Sequence, residues 1–149
     1  IALFQGVTKM IDIIPPCEVK SIHHIGIAVS NIKEASKYYQ STFNIQDAPI
    51  LENHEFSVLG TFLPVNGVNL ELLQGTNNES IISKFIAERG EGIHHLCFEV
   101  EDIQKSINTL LARDIKLLDA TPKQGFIGPV AFLHPKSSRG VLVELAQHE

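Results

Sequence analysis

The 149-residue chain has no tryptophan, one methionine, two tyrosines and two cysteines. Cys17 and Cys97 lie far apart and neither belongs to a Cys-x-x-Cys pair, which excludes a disulfide scaffold and reads as reduced thiols in a reducing compartment. No apolar stretch approaches the roughly 20 residues needed to span a bilayer. The formal net charge is −5 and there is no run of Lys or Arg, which argues against nucleic acid or an anionic membrane surface as a partner. Ten glycines and seven prolines are too few for a collagen-like or low-complexity chain. What is present is a 44% hydrophobic composition, on a chain long enough to bury roughly two-thirds of its unfolded surface. This predicts one soluble globular domain.

The first twenty residues differ in character from the rest. The segment Ala2-Leu3-Phe4-Gln5-Gly6 is expected to be a processing scar or vector-derived, Met10 is a candidate native start, and Pro15-Pro16 breaks any continuing element. Residues 1–20 are therefore read as an extension and 21–149 as the domain.

The informative feature is an internal repeat. Ile22-His23-His24-Ile25-Gly26-Ile27-Ala28-Val29 recurs 71 residues later as Ile93-His94-His95-Leu96-Cys97-Phe98-Glu99-Val100. Each copy runs into a helix signal: Asn31 with Glu34 three residues on, and Asp102 in the second copy. Apolar residues follow at helical spacing, Ile32, Ala35, Tyr39 and Phe43 in one and Ile103, Ile107, Leu110 and Leu111 in the other. The ends match too, Gly67-Val68-Asn69-Leu70-Glu71-Leu72-Leu73-Gln74 against Gly140-Val141-Leu142-Val143-Glu144-Leu145-Ala146-Gln147. A Phe-Leu pair precedes each, Phe62-Leu63 and Phe132-Leu133. Strands are predicted at 22–29, 47–53, 57–65 and 68–74, then at 93–100, 115–119, 129–134 and 140–146. Helices are predicted at 31–42, 102–113 and, between the halves, from Glu79 to Arg89 with Gly90 as its stop. The expected fold is α+β: two βαβββ modules, about 21–75 and 92–147, joined by a helical linker.

Side chains alternate across a strand, so parity sorts each motif into faces. His24 shares a face with Gly26 and Ala28, and His95 with Cys97 and Glu99, while the apolar face meets the helices. Glu71 lies between Asn69 and Leu73, and Glu144 between Leu142 and Ala146. A carboxylate inside an apolar strand costs several kcal/mol if buried without a partner. The repeat supplies partners: one histidine and one glutamate per half. Taken singly, each of these residues reads as packed or salt-bridged; their duplication is what points to a metal. Two imidazoles and two carboxylates suit a divalent ion such as Mn, Fe, Co, Ni or Zn, with two octahedral positions left for a bidentate substrate. His23 and His94 fall on the helix-facing side and read as packed and hydrogen-bonded. His134, before a proline, reads as structural, and His148 as solvated. His54, within Glu52-Asn53-His54-Glu55, reads equally as pocket or surface.

These residues carry a resemblance to the methylmalonyl-CoA epimerase family of the vicinal-oxygen-chelate superfamily, spanning about residues 21 to 147. Its specific segments are His23 to Val29, Arg89-Gly90-Glu91-Gly92-Ile93-His94-His95, and Phe132-Leu133-His134-Pro135-Lys136-Ser137 followed by Gly140 to Leu145. The resemblance implies a glyoxalase-like fold, a cupped mixed sheet with helices outside. It implies one divalent ion (Co, Mn, Ni or Zn) on His24, Glu71, His95 and Glu144, with Gln at the position of Glu71 in some relatives. It also implies proton exchange at C2 of methylmalonyl-CoA with Glu144 as proton acceptor, an acyl-CoA substrate, a homodimer, and a cytoplasmic or, in a eukaryote, mitochondrial-matrix location.

The chain departs from the family pattern twice. Where several bacterial epimerases carry a second carboxylate, on the strand before the glutamate strand, this chain has Gly60. The family's Gly-Ala-His-Gly loop is here Gly125-Phe126-Ile127-Gly128. Glu55 or His54, with Glu52 beside them, would supply the second acid/base if their loop folds inward. Lys136 and Arg139 read as solvated, with CoA phosphates as their alternative. A glyoxalase I-type lyase, which can use the same four donors, and a non-catalytic binding module of the superfamily remain alternatives.

Overall fold

The computed structural model describes residues 13–149, so the readings of Ala2 to Gly6 and of Met10 lie outside the described residues. Strand β1 (Ser21–Ala28) leads into helix α1 (Ile32–Phe43), then strands β2 (Leu51–Asn53), β3 (Val58–Val65) and β4 (Val68–Gly75). Helix α2 (Ile81–Arg89) joins this module to β5 (Gly92–Glu99), helix α3 (Ile103–Ala112) and strands β6 (Lys123–Gln124), β7 (Pro129–Phe132) and β8 (Val143–Ala146). All eight strands form one curled mixed sheet in the order β2-β3-β4-β1-β5-β8-β7-β6.

Local chemistry starts each helix where the sequence places it. Asn31 Oδ1 accepts the backbone N–H groups of Lys33 and Glu34, and Asp102 accepts that of Lys105. The two repeats share a further device. Gln74 Oε1 accepts the Ile32 N–H at 2.8 Å, and Gln147 Oε1 accepts the Ile103 N–H at 2.9 Å. A glutamine at the end of each glutamate strand, Gln74 within β4 and Gln147 just past β8, thus ties down the helix of its own module.

Parity sets the two faces. On the outer face α1 packs Ile32 against Ile27, Leu63, Leu70 and Leu72. There α3 packs Ile103, Ile107 and Leu110 against Val100, Ala131, Leu133, Val143 and Leu145. The linker helix α2 differs: its Ile82 packs with Ala28, Val58 and Leu73, residues of the inner face. It closes one end of the cup.

Three of the predicted strands fall well short of their apolar patterns. Only Leu51–Asn53 of 47–53 is strand, because Asp47 Oδ1 takes the Ala48 N–H and Pro49 has none to give. The 115–119 segment contributes one bridge, Leu117 to Leu133. Asp119 turns the chain by accepting the Thr121 N–H, and regular pairing resumes at β6. The last strand starts at Val143 rather than at residue 140, because a 3-10 turn at Pro135–Ser137 and Gly140, with φ +88°, occupy its approach.

Candidate metal centre

The strand register brings four side chains to one point. Gly26 pairs with Glu71 across β1/β4, and Cys97 pairs with Glu144 across β5/β8, both parallel. In the antiparallel β1/β5 pair at the centre of the sheet, Gly26 faces His95 and Cys97 faces His24. The absence of a side chain at Gly26 gives the His95 ring its place. A Cβ there would stand 2.2 Å from His95 Cε1.

The donors converge tightly. His24 Nε2 and His95 Nε2 are 3.0 Å apart. Glu71 Oε2 lies 3.1 Å from the first and 3.2 Å from the second. Glu144 Oε2 lies 2.9 Å from His95 Nε2 and 3.6 Å from His24 Nε2. All four residues are buried. With metal–ligand bonds of about 2.1 Å, neighbouring donors of a six-coordinate ion stand about 3.0 Å apart, so these separations fit a common cation. One atom favours it further: Glu71 Oε2 is buried with no hydrogen-bond partner among the described residues. A buried unpaired carboxylate oxygen is costly, and a cation between the four donors would meet it.

The electrostatics agree in sign. Burial alone would lower the pKa of His24, but Glu144 and Glu71 outweigh it and raise it to about 9. Against the same burial, the two carboxylates push His95 up to about 10. Burial works to raise Glu71, yet the two imidazoles bring it down to about 2, and Glu144 is lowered in the same way. The cluster is thus held as positive rings against negative carboxylates, charges that a divalent ion would take over from the ring protons.

The outer histidines are hydrogen-bonded as the sequence reads them, but to the inner rings rather than on the helix-facing side. His23 Nδ1 lies 2.7 Å from His24 Nδ1, and His94 Nδ1 lies 3.0 Å from His95 Nδ1. A register shift between Ile22 and His24 lets the His23 ring swing toward its neighbour instead of the helices. Burial and the charge of His24 lower His23, while burial and the charge of His95 lower His94 to about 4. Both are therefore neutral at pH 7, and their Nδ1 can accept the inner ring's N–H. This fixes the ring orientation that turns Nε2 to the centre. The available signal was the doubled His-His in both repeats.

Phenylalanines surround the donors. Phe62 meets the His24 ring edge-on at 5.3 Å and Phe132 meets His95 at 5.8 Å. Phe126 stands against Phe62 and Phe56 against Phe132. The cavity so formed is lined by all four donors and by Asn53, Val58, Leu73 and His94. Its only carboxylates among the described residues are Glu71 and Glu144.

The remaining candidates are elsewhere. The His54 side chain is 87% exposed and faces Glu52 at 3.4 Å. Glu55 is exposed and borders a separate groove with Glu79 and Asp119. The 54–57 turn does fold inward, but by its Phe56. Gly60 faces the cup where sequence alignment put it, with the Phe126 ring against it. His134 accepts the Lys136 N–H on its Nδ1, a structural cap. Cys97 is fully buried beside His24, and burial with Glu144 and Glu71 pushes its pKa up, leaving it an un-ionised thiol.

Residues 23–132 match the Glyoxalase/Bleomycin resistance protein/Dioxygenase superfamily. The chain belongs to this superfamily. Within it, the chain is 37% identical over 142 residues to a mitochondrial methylmalonyl-CoA epimerase of Dictyostelium discoideum, covering 94% of this chain and 86% of the relative. It is 34% identical over 129 residues to an ethylmalonyl-CoA/methylmalonyl-CoA epimerase of Cereibacter sphaeroides, covering 85% and 96%. A solved Streptomyces coelicolor methylmalonyl-CoA epimerase, in complex with 2-nitronate-propionyl-CoA, superposes with a TM-score of 0.84 at 30% identity, over 88% of this chain and 96% of that one. Superfamily membership and these relatives mark the chain as an enzyme of the racemase and epimerase type, built on the glyoxalase-like fold.

Proposed function

We propose that this chain epimerises methylmalonyl-CoA, by removing the C2 proton from one face and returning a proton to the other. The observation that carries the reading is the meeting of two imidazoles and two carboxylates at the floor of an apolar cup, in a chain whose relatives are epimerases of malonyl thioesters. His24, Glu71, His95 and Glu144 would hold one divalent ion, for which Co, Mn, Ni and Zn suit the donor set. Bound there, the ion would act as a Lewis acid toward the charge developing on the thioester oxygen.

The chain's own residues do the rest. His23 and His94 orient the inner rings. Phe56, Phe62, Phe126 and Phe132 keep water from the reacting carbon. Glu144 uses the same oxygen, Oε2, toward both imidazoles, so its other oxygen is the one a C2 proton would reach. With Gly60 in place of a second carboxylate and Glu55 and His54 outside the cavity, proton return falls to Glu71. A carboxylate here is apt: it can both accept and donate, as a two-face exchange requires in each direction.

The test uses metal-loaded protein in D2O with single epimers of methylmalonyl-CoA, following loss of the C2 proton by NMR and epimer composition by chiral analysis. Wild type is expected to exchange and invert. Glu71→Gln and Glu144→Gln are each expected to lose inversion by about 1,000-fold while keeping exchange on the face served by the surviving glutamate. No exchange by folded, metal-replete wild type sinks the epimerase reading, and turnover of a hemithioacetal instead would establish the lyase.

A further inference from the structure

The two places where the sequence leaves the family pattern touch each other. Gly60 stands on the cup side of β3 between Val58 and Phe62, paired with Leu73 on the strand that carries Glu71. A methyl group added at Gly60 would stand 2.5 Å from Cε2 and 2.7 Å from Cζ of Phe126. The Phe126 ring therefore fills the volume that any side chain at position 60 would claim. It also meets Phe62 edge-on, with centroids 5.9 Å apart, and Phe62 in turn borders His24.

Phe126 is not free to swing. Its turn is closed by the Gly125 N–H donating to the Gly128 carbonyl at 2.9 Å. The turn is tied to the C-terminal segment by the Glu149 N–H to the Ile127 carbonyl and the Gln147 N–H to the Pro129 carbonyl, each 3.0 Å. Gly128 sits so close to the Gln147 carbonyl that a Cβ would lie 2.1 Å from it. Across the cup, Asn53 Nδ2 donates to the Gln124 carbonyl at 3.0 Å, holding the two hairpins together. The ring is thus a wall of the cup carried on an anchored turn.

The other half makes the point by contrast. Phe56 takes the corresponding place against Phe132, but the strand position beneath it is Val130, not glycine. The cup is therefore closed differently on its two sides, by an aromatic ring seated directly on backbone at Gly60 and by a valine-backed ring at Val130.

We propose that Phe126, seated on Gly60, is the specificity-determining wall for the alkyl substituent at C2 of the malonyl thioester. The inference rests on the epimerase reading. A rigid phenyl face near the donors would accept a short alkyl group by dispersion and exclude a longer one by overlap, and one methylene in such a pocket is worth roughly tenfold or more in discrimination. Gly60 follows as the residue that lets the ring sit there.

The experiment measures kcat/KM for 2-methyl-, 2-ethyl- and 2-propylmalonyl-CoA with metal-loaded wild type, Phe126→Ala, Gly60→Ala and the double variant. Calorimetric binding of the same series to each protein runs beside it. Phe126→Ala is expected to shift the propyl-to-methyl ratio toward propyl by at least about tenfold. Gly60→Ala is expected to weaken the whole series, and the double variant to recover what Gly60→Ala lost, because the clash goes with the ring. An unchanged size profile in an active, folded Phe126→Ala overturns the proposal and leaves the epimerase reading intact, as does failure of the double variant to recover. Phe126→Leu, which retains bulk, guards against misfolding and is expected to give an intermediate ratio. Wild type that neither binds nor turns over any thioester overturns both readings.

Discussion

The two modules are copies in their register and differ in what fills it. Glu71 and Glu144 pair with equivalent neighbours, Phe62 and Phe132 cover equivalent histidines, and Gln74 and Gln147 close equivalent helices. Opposite the histidines the copies part. His95 faces Gly26, which leaves it room, while His24 faces the buried Cys97. Opposite the phenylalanines they part again, at Gly60 and Val130. Duplication thus explains the four-donor centre, and divergence of the small positions around it explains how a symmetric centre can sit in an asymmetric cup.

The largest expected effect comes from exchanging the unlike partners of the like histidines. Gly26→Ala places a methyl group on the His95 ring and is expected to lower divalent-ion affinity by about 100-fold, read by competition with a chromogenic chelator. Cys97→Ala at the matching position only deletes a thiol and is expected to change that affinity less than about tenfold, with a stability loss of ~1–2 kcal/mol from the small cavity. Equal losses in the two variants would break the comparison.

A second expectation concerns what the two copies share. Without an ion, the two carboxylates raise His24 to about 9 and His95 to about 10, so both rings are expected to carry protons at neutral pH. Ion uptake at pH 7 should then release close to two protons, measured in weakly buffered solution with a pH indicator. The stability these rings give the metal-free protein is fully present below their unfolded pKa of roughly 6.5 and is lost as pH rises through about 9 to 10. The contribution of Glu71, lowered to about 2, runs the other way: present above its usual range near 4.5 and lost as pH falls toward 2. Metal-free protein should therefore be less stable at pH 10 than at pH 6, and loading should protect most on the alkaline side. Release of no protons, with the ion bound, would show that the rings are neutral beforehand.

The smallest expected effect sharpens the symmetry. Gln74→Ala and Gln147→Ala each leave one helix N–H without its acceptor and should each cost ~1 kcal/mol in denaturant unfolding. Similar values in both would mark the helix tie as an inherited part of the module.

Much of this centre was legible along the chain. A repeat with a doubled histidine at its start and a glutamate at its end names four donors, and strand parity turns His24 and Glu71 to one face. Parity failed at His23 and His94, because it assumes an unbroken pleat and the β1/β5 pair shifts register at both, at His23 on β1 and at His94 on β5. It also overran at 115–119, where apolar residues lie beside the sheet without continuous pairing. The reading in which Glu55 or His54 completes the acid/base set required their loop to fold inward, and the inward side chain of that turn is Phe56.

The sequence by itself determined the module, its duplication and the identity of the donors, because backbone periodicity and capping are local and repeat wherever the pattern repeats. The tertiary structure alone decided which small residue lies under which ring. The meeting of Gly26 with His95, and of Gly60 with Phe126, joins segments more than sixty residues apart. Such contacts depend on sheet curl and close packing, where a single Cβ settles whether two groups fit.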